Sequence, residues 1–174
     1  MNSPESAHSG DSLSLQPHSK LLAYGEQISR ALADHVDTML QYSAEQIVSI
    51  IKEGRAIIVL NGAQSQECLA FAQISPWNDN ASKPVAIEFR SWKSWSHDCG
   101  ILALYGGVEL SKQKYPGVPM YAVVEASNTK AQRKLLQAGA TICDYMPQGM
   151  RIELGEGEAQ CIIFDIFSLG GRGI

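Results

Sequence analysis

Apolar positions along the chain change period several times, and each change marks an element. Leu21, Tyr24, Ile28, Leu32, Val36 and Met39 recur at helical spacing, while Glu26, Arg30, Asp34 and Asp37 take the other side. That spacing predicts an amphipathic helix over 19–42, with a stripe suited to the core or to the face of a homodimer. Ser43 and Gln46 form a capping box, Ile47, Ile50 and Ile51 follow, and Gly54 is a stop, so a second helix is expected. Ala56-Ile57-Ile58-Val59-Leu60 reads as a strand, Asn61-Gly62 as the start of a turn, and Cys68–Ile74 as the returning strand.

Residues 75–83 read as a loop, in which Trp77 covers the edge of the core or lines a pocket. Val85, Ile87 and Phe89 then alternate with Ala86, Glu88 and Arg90, but Trp92 and Trp95 fall out of phase, which predicts a bulge. Ile101, Leu104, Tyr105 and Val108 lie on one helical face, so a helix starts inside His97-Asp98-Cys99-Gly100-Ile101-Leu102. A helix N-terminus offers backbone N–H groups and partial positive charge to a phosphate, and Gly100 lets a ligand come close. Tyr121, Val123 and Glu125 alternate with Ala122 and Val124 in a further strand. Asn128 suits the N-cap of a helix through Ala138 that Gly139 closes. Thr141–Met146, Met150–Leu154 and the run from Cys161 to Phe167 read as the last strands.

Composition narrows the function classes. The 174 residues are 45% apolar and 18% charged, enough for a globular core. Residues 1–17 are rich in Ser, His, Pro and Gly and read as a disordered leader; 18–174 reads as a single domain. A net charge of −4 argues against a nucleic-acid partner. No apolar run approaches the ~20 residues of a membrane span, and no secretion signal is visible. Cys68, Cys99, Cys143 and Cys161 lack metal-ligand spacing and read as reduced thiols of a cytoplasmic protein. Neither a Gly-x-Ser-x-Gly elbow nor a Walker loop is present.

Two stretches carry a resemblance. His97-x-x-Gly100-x-Leu102 opens a helix, and Asn128, Ala131 and Gly139 follow at the spacing of an Asn-x-x-Ala…Gly pattern. Together they resemble the GNAT superfamily, the Gcn5-related N-acetyltransferases, in element order over residues 43–167. Leu102, Leu135 and Ala140 depart from it, standing where glycine or alanine, tyrosine and phenylalanine are usual. The resemblance implies an α+β fold with a mixed, twisted central sheet flanked by helices. It implies acetyl-CoA or another acyl-CoA as co-substrate and a small-molecule or peptide amine as acceptor. Gly100, Ile101 and Leu102 would offer N–H groups to the pyrophosphate, beside His97, Asp98 and Cys99. Trp92, Lys93 and Ser94 would follow the pantetheine arm, and Asn128 and Ala131 join the cofactor set by motif position.

Acyl transfer also needs a base for the ammonium proton and an acid for the departing thiolate. Glu88, on the strand before the loop, is the first candidate base and Glu125 the second. Leucine cannot donate a proton, so at Leu135 the usual acid is missing, and Tyr145 or Tyr105 are candidate substitutes. Cys99, beside a helix N-terminus, could carry an acyl group or be an inert buried thiol. Three functions are compatible with these residues. One is an acyltransferase using direct transfer, one a CoA-binding protein without chemistry, and one an interaction module whose Leu102 fills the phosphate cleft.

Overall fold

Ser43 and Gln46 close the reciprocal cap that their spacing predicts. Ser43 Oγ accepts from Gln46 N at 3.2 Å, and Gln46 Oε1 accepts from Ser43 N at 2.8 Å. Such a cap stabilises a helix by about 1 kcal/mol. The helix it opens, α3, runs Ala44–Lys52 and ends at Gly54, whose φ of 68° needs glycine. The computed structural model describes residues 6–35, 39–62, 65–77, 83–95, 97–144 and 161–171.

Ahead of α3 the chain forms β1 (Ser6–Ser9), α1 (Gly10–Ser14) and α2 (His18–Ala33). After it come β2 (Ala56–Leu60), β3 (Cys68–Trp77), β4 (Ala86–Ser94), α4 (His97–Lys114), β5 (Met120–Glu125), α5 (Thr129–Ala138), β6 (Thr141–Cys143) and β7 (Cys161–Asp165). A 3-10 turn, Phe167–Gly171, follows. The strands form one sheet in the order β1-β2-β3-β4-β5-β7-β6. It is mixed: β4 and β5 are parallel, whereas β1–β2, β2–β3, β5–β7 and β6–β7 are antiparallel. The chain groups into two compact units. One holds residues up to Gln73 with Ser91–Leu110; the other holds Ile74–Arg90 and residues from Ser111 onward.

In the first unit, Leu21, Tyr24, Ile28 and Leu32 of α2 and Ile47, Ile50 and Ile51 of α3 form one core with Ile58, Leu60 and Phe71. At ~1.5–3 kcal/mol per buried side chain, this stripe is the main reason the helices form. Gly25 sits where they meet: a Cβ there would lie 2.5 Å from the backbone oxygen of Ala44. All five residues of β2 are buried, which alternation permits only if both faces are covered. Gly106 of α4 meets the side opposite Ile58, where an added Cβ would lie 3.1 Å from Ile57 and 3.2 Å from Ala7.

Several expectations change. Residues 6–14 are structured despite their polar composition: β1 pairs with β2 from Ser6↔Leu60 to Ser9↔Ile57, and Leu13 is buried. Backbone bonding to an edge strand needs no apolar side chain, so it left no signal in the pattern. The helix expected over 19–42 stops at Ala33, where Gln41 Nε2 donates to the carbonyls of Leu32 at 2.9 Å and Met39 at 3.0 Å. Ser75, Pro76 and Trp77 extend β3 rather than opening the loop. The strands expected at Thr141–Met146 and Met150–Leu154 are described only as β6; the rest lies outside the described residues.

In the second unit, Asn128 Oδ1 accepts from Ala131 N at 3.2 Å and caps α5, and Gly139 ends it at φ 97°. Ala86, Tyr121 and Ile163 form a small core there, against which Trp77, Val123 and Cys143 pack. Among the described residues, no helix is long and apolar enough to cross a membrane.

Candidate functional site

β4 holds the first group of candidates, and its backbone is not a plain strand. Val85 N donates to Trp77 O at 2.8 Å at one end, and Trp95 N to Leu69 O at 2.8 Å at the other. Those bonds are eight residues apart on β3 (69 to 77) and ten apart along the β4 segment (85 to 95). The β4 segment therefore carries two residues more than its neighbour, which is the expected bulge. Ser91 lies within it at φ 54°, the left-handed region that a non-glycine residue adopts only when its surroundings hold it. Buried Gln73 does so: its Nε2 donates to Ser91 Oγ at 3.0 Å and to Tyr42 Oη at 2.9 Å.

Past this kink, Trp92, Lys93 and Ser94 are half-buried. Trp92 Nε1 donates to Gly100 O at 2.9 Å, and Lys93 Nζ meets His35 Nε2. α4 begins at His97, the first residue of that stretch. Gly100 and Cys99 are buried, whereas Ile101 and Leu102 are half-buried. An α-helix leaves the N–H groups of its first turn without intrahelical acceptors. Ile101 and Leu102 instead have His97 and Asp98 four residues back to bond, so the N–H groups left without an intrahelical acceptor come earlier in the turn. Asp98 is the exposed acid of that turn. It stabilises the helix dipole and opposes a second anion. A phosphate thus fits the donors and the absent side chain at Gly100, against the Asp98 charge. Buried Cys99 (0% exposed) presents no surface to a thioester, so the acyl-cysteine alternative loses its support. The His97 side chain lies outside the described set.

The second unit places the candidate bases. Glu88 is buried on β4, in register with Tyr121 of β5. Trp77 Nε1 donates to Glu88 Oε2 at 3.0 Å, and Arg90 Nε approaches the same oxygen at 3.4 Å. Glu125 is half-buried, accepts from Ser127 Oγ at 3.4 Å, and lies across from Cys161 of β7. Burial pushes the Cys161 thiol above its ordinary value, and the carboxylates of Glu125 and then Glu88 push it further. One thiol therefore feels both candidate bases. Burial also raises Cys143, with Asp165 and Asp144 adding to it against a backbone hydrogen bond.

Asn128 and Ala131 are committed to each other in the α5 cap, a structural use of both groups. Leu135 is fully buried, so the position of the usual tyrosine is a packing position here. Tyr145 lies outside the described residues, and Tyr105 is half-buried on α4. The Trp77–Glu88 and Gln73–Ser91 bonds had no motif to announce them. Gln73, a polar residue inside the apolar run from Cys68 to Ile74, is the one visible signal.

No protein-family profile matches the chain, and no curated protein matches it in sequence. Solved structures do match in fold. YncA of Salmonella typhimurium, solved with its cofactor acetyl-CoA, is 15% identical over 92% of this chain and 91% of that one, with a TM-score of 0.61. A GNAT-family acetyltransferase from Streptococcus pneumoniae is 11% identical over 92% and 97%, with a TM-score of 0.63. Arabidopsis thaliana Naa50, in complex with the bisubstrate analogue CoA-Ac-MVNAL, is 13% identical over 92% and 96%, with a TM-score of 0.57. At such identities the likeness is one of fold: a mixed seven-stranded sheet flanked by helices. The chain has the GNAT fold.

Proposed function

We propose that the protein is an acyltransferase that moves an acetyl or short acyl group from acyl-CoA to an amine by direct transfer. The supporting observation is the run of residues 91–95 together with the start of α4 at His97 on this fold. A strand lengthened by two residues turns at Ser91 and leads into the N-terminus of an 18-residue helix. In this reading the backbone of Trp92, Lys93 and Ser94 hydrogen-bonds the pantetheine arm. The first-turn N–H groups of α4, from His97 and Asp98 toward Cys99 and Gly100, hold the pyrophosphate.

Acyl-CoA supplies a thioester that is already reactive. The protein's part is to align the amine, accept its proton and assist departure of the thiolate. Glu88 is the proposed base, buried and fixed by two donors, with Glu125 as second candidate. Leu135 offers no proton to the thiolate, which leaves that role to Tyr105, to Tyr145 or to water. Asn128 and Ala131 support the cofactor side through the α5 cap rather than by direct contact. The acceptor is proposed to be a small-molecule or peptide amine, in keeping with the peptide-bearing analogue bound by Naa50.

Isothermal titration with acetyl-CoA, followed by turnover on an amine panel, tests this reading. Micromolar binding with turnover that Glu88→Gln cuts by ~10²-fold or more supports it. Absence of binding by folded protein removes it. Buried Leu135 favours a second reading, a CoA-binding protein without chemistry, for which binding without turnover is the expected result.

A further inference from the structure

We propose that Trp77 and Arg90 are positioning residues that fix the Glu88 carboxylate through its Oε2 atom and keep it ionised for its role as base. This rests on the assignment of Glu88 above. From sequence, Trp77 covers the edge of the core or lines a pocket. Its ring packs against the Ala86, Tyr121 and Ile163 core, so the indole is held by its apolar body. Its polar edge points at Glu88 Oε2 at 3.0 Å, and Arg90 Nε comes to that same oxygen at 3.4 Å. The Glu88 side chain is 11% exposed and that of Arg90 23%, so water screens the pair weakly.

The donor types matter. An indole N–H donates and never accepts, and a guanidinium likewise. Neither can accept a hydrogen bond from a carboxylic acid O–H, so both favour the charged carboxylate over the acid. Their convergence on one oxygen also sets the carboxylate plane, which a base acting at a fixed point requires. Tyr121 is the register partner of Glu88 on β5, and the Cys161 thiol on β7 feels both Glu88 and Glu125. Tyr121 and Cys161 belong to the same face of the second unit, since Tyr121 and Glu125 lie four residues apart on one face of β5 and Glu125 stands opposite Cys161.

The test labels the glutamate side-chain carboxyls with carbon-13 in the full chain without acyl-CoA. The Glu88 signal is assigned by its loss in Glu88→Gln. Trp77→Phe keeps the ring packing and removes the donor, and Arg90→Gln is the second variant. The expected result is a Glu88 titration midpoint that rises by about one unit in Trp77→Phe, the shift that losing a hydrogen bond to a charged group gives. A midpoint unchanged in both folded variants overturns the proposal, whatever the activity. Rates on the amine panel then separate the two assignments. An acid limb that moves with the midpoint in Trp77→Phe, with KM for acyl-CoA unchanged, supports positioning of a base. A midpoint shift in a protein whose turnover survives Glu88→Gln overturns the base assignment and the positioning role with it. A uniform loss of rate across pH in Trp77→Phe, with no midpoint shift, overturns the positioning role alone.

Discussion

The Trp92 indole N–H donates to the Gly100 carbonyl at 2.9 Å and so ties the end of β4 to the first turn of α4. A carbonyl has a second lone pair for this bond, so the helix gives up nothing to make it. The two ends of the proposed CoA site therefore move as one piece. Trp92→Phe keeps the ring and removes the donor. Affinity for acetyl-CoA is expected to fall by roughly threefold to tenfold, in line with one hydrogen bond, while the melting temperature moves little. Calorimetric titration of both proteins reads this directly; equal affinities would show that the tie does not serve the cofactor.

Asp98 places a negative charge in the turn that is proposed to meet the pyrophosphate. Asp98→Asn removes a repulsion worth ~0.3–1 kcal/mol at low ionic strength. Acetyl-CoA is then expected to bind about two- to fivefold more tightly in low salt, with the gain shrinking at 0.5 M salt as screening sets in. Weaker binding in the variant would place the anion elsewhere.

Cys68 makes stability fall in alkali. Burial, and then the neighbouring Glu67, pushes its thiol up to about 12. The unfolded chain loses this proton near its ordinary value of 9.0, whereas the native protein keeps it to about 12. The native state thus binds more protons in between, so the contribution is complete below pH 9 and is lost as pH rises to about 12. The slope is at most ~1.4 kcal/mol per pH unit. Tyr24, raised by burial and then by Cys68, adds to it at higher pH. Urea unfolding from pH 8 to 11 is expected to show a shallower decline in Cys68→Ala. Parallel curves would mean that the thiol titrates at its ordinary value.

Gly25 allows α2 and α3 to cross closely, and a methyl group there meets the Ala44 carbonyl oxygen, which is backbone and cannot rotate away. Gly25→Ala gains helix propensity of up to ~1 kcal/mol, but the clash wins. A net loss of about 2 kcal/mol is expected, within the range for overpacked cores. The urea midpoint should drop with an unchanged slope. A midpoint that rises would show that the helices can spread.

How much of this was legible depended on the kind of interaction. Signals that a few neighbouring residues carry are legible: the Ser43–Gln46 box, the Asn128 cap and Gly139 end of α5, the five apolar residues of β2. The phase break before Trp92 marked the bulge, because a two-residue period records register directly. What escaped depends on partners far along the chain. β1 is held by backbone bonds to β2, which a polar composition conceals. α2 ends where Gln41 returns to bond Leu32, and Trp77 belongs to β3 because Val85 pairs with it. The site divided in the same way. Gly100 lies in the first turns of α4, and Asn128 Oδ1 caps the helix it opens. The groups around Glu88 and Ser91 meet through the fold alone.

β1 also acts as a guard. Its four residues occupy the hydrogen-bonding edge of β2, whose own side chains are wholly buried. Shortening the chain to begin at His18 would uncover that edge and leave Ile57, Ile58 and Val59 as a bare template for strand addition. Such a protein is expected to self-associate, by trading segments between copies or by growing into fibres, even with α2 and α3 intact. Residues 6–9, polar in composition, thus cover a strand edge that would otherwise lie open to addition.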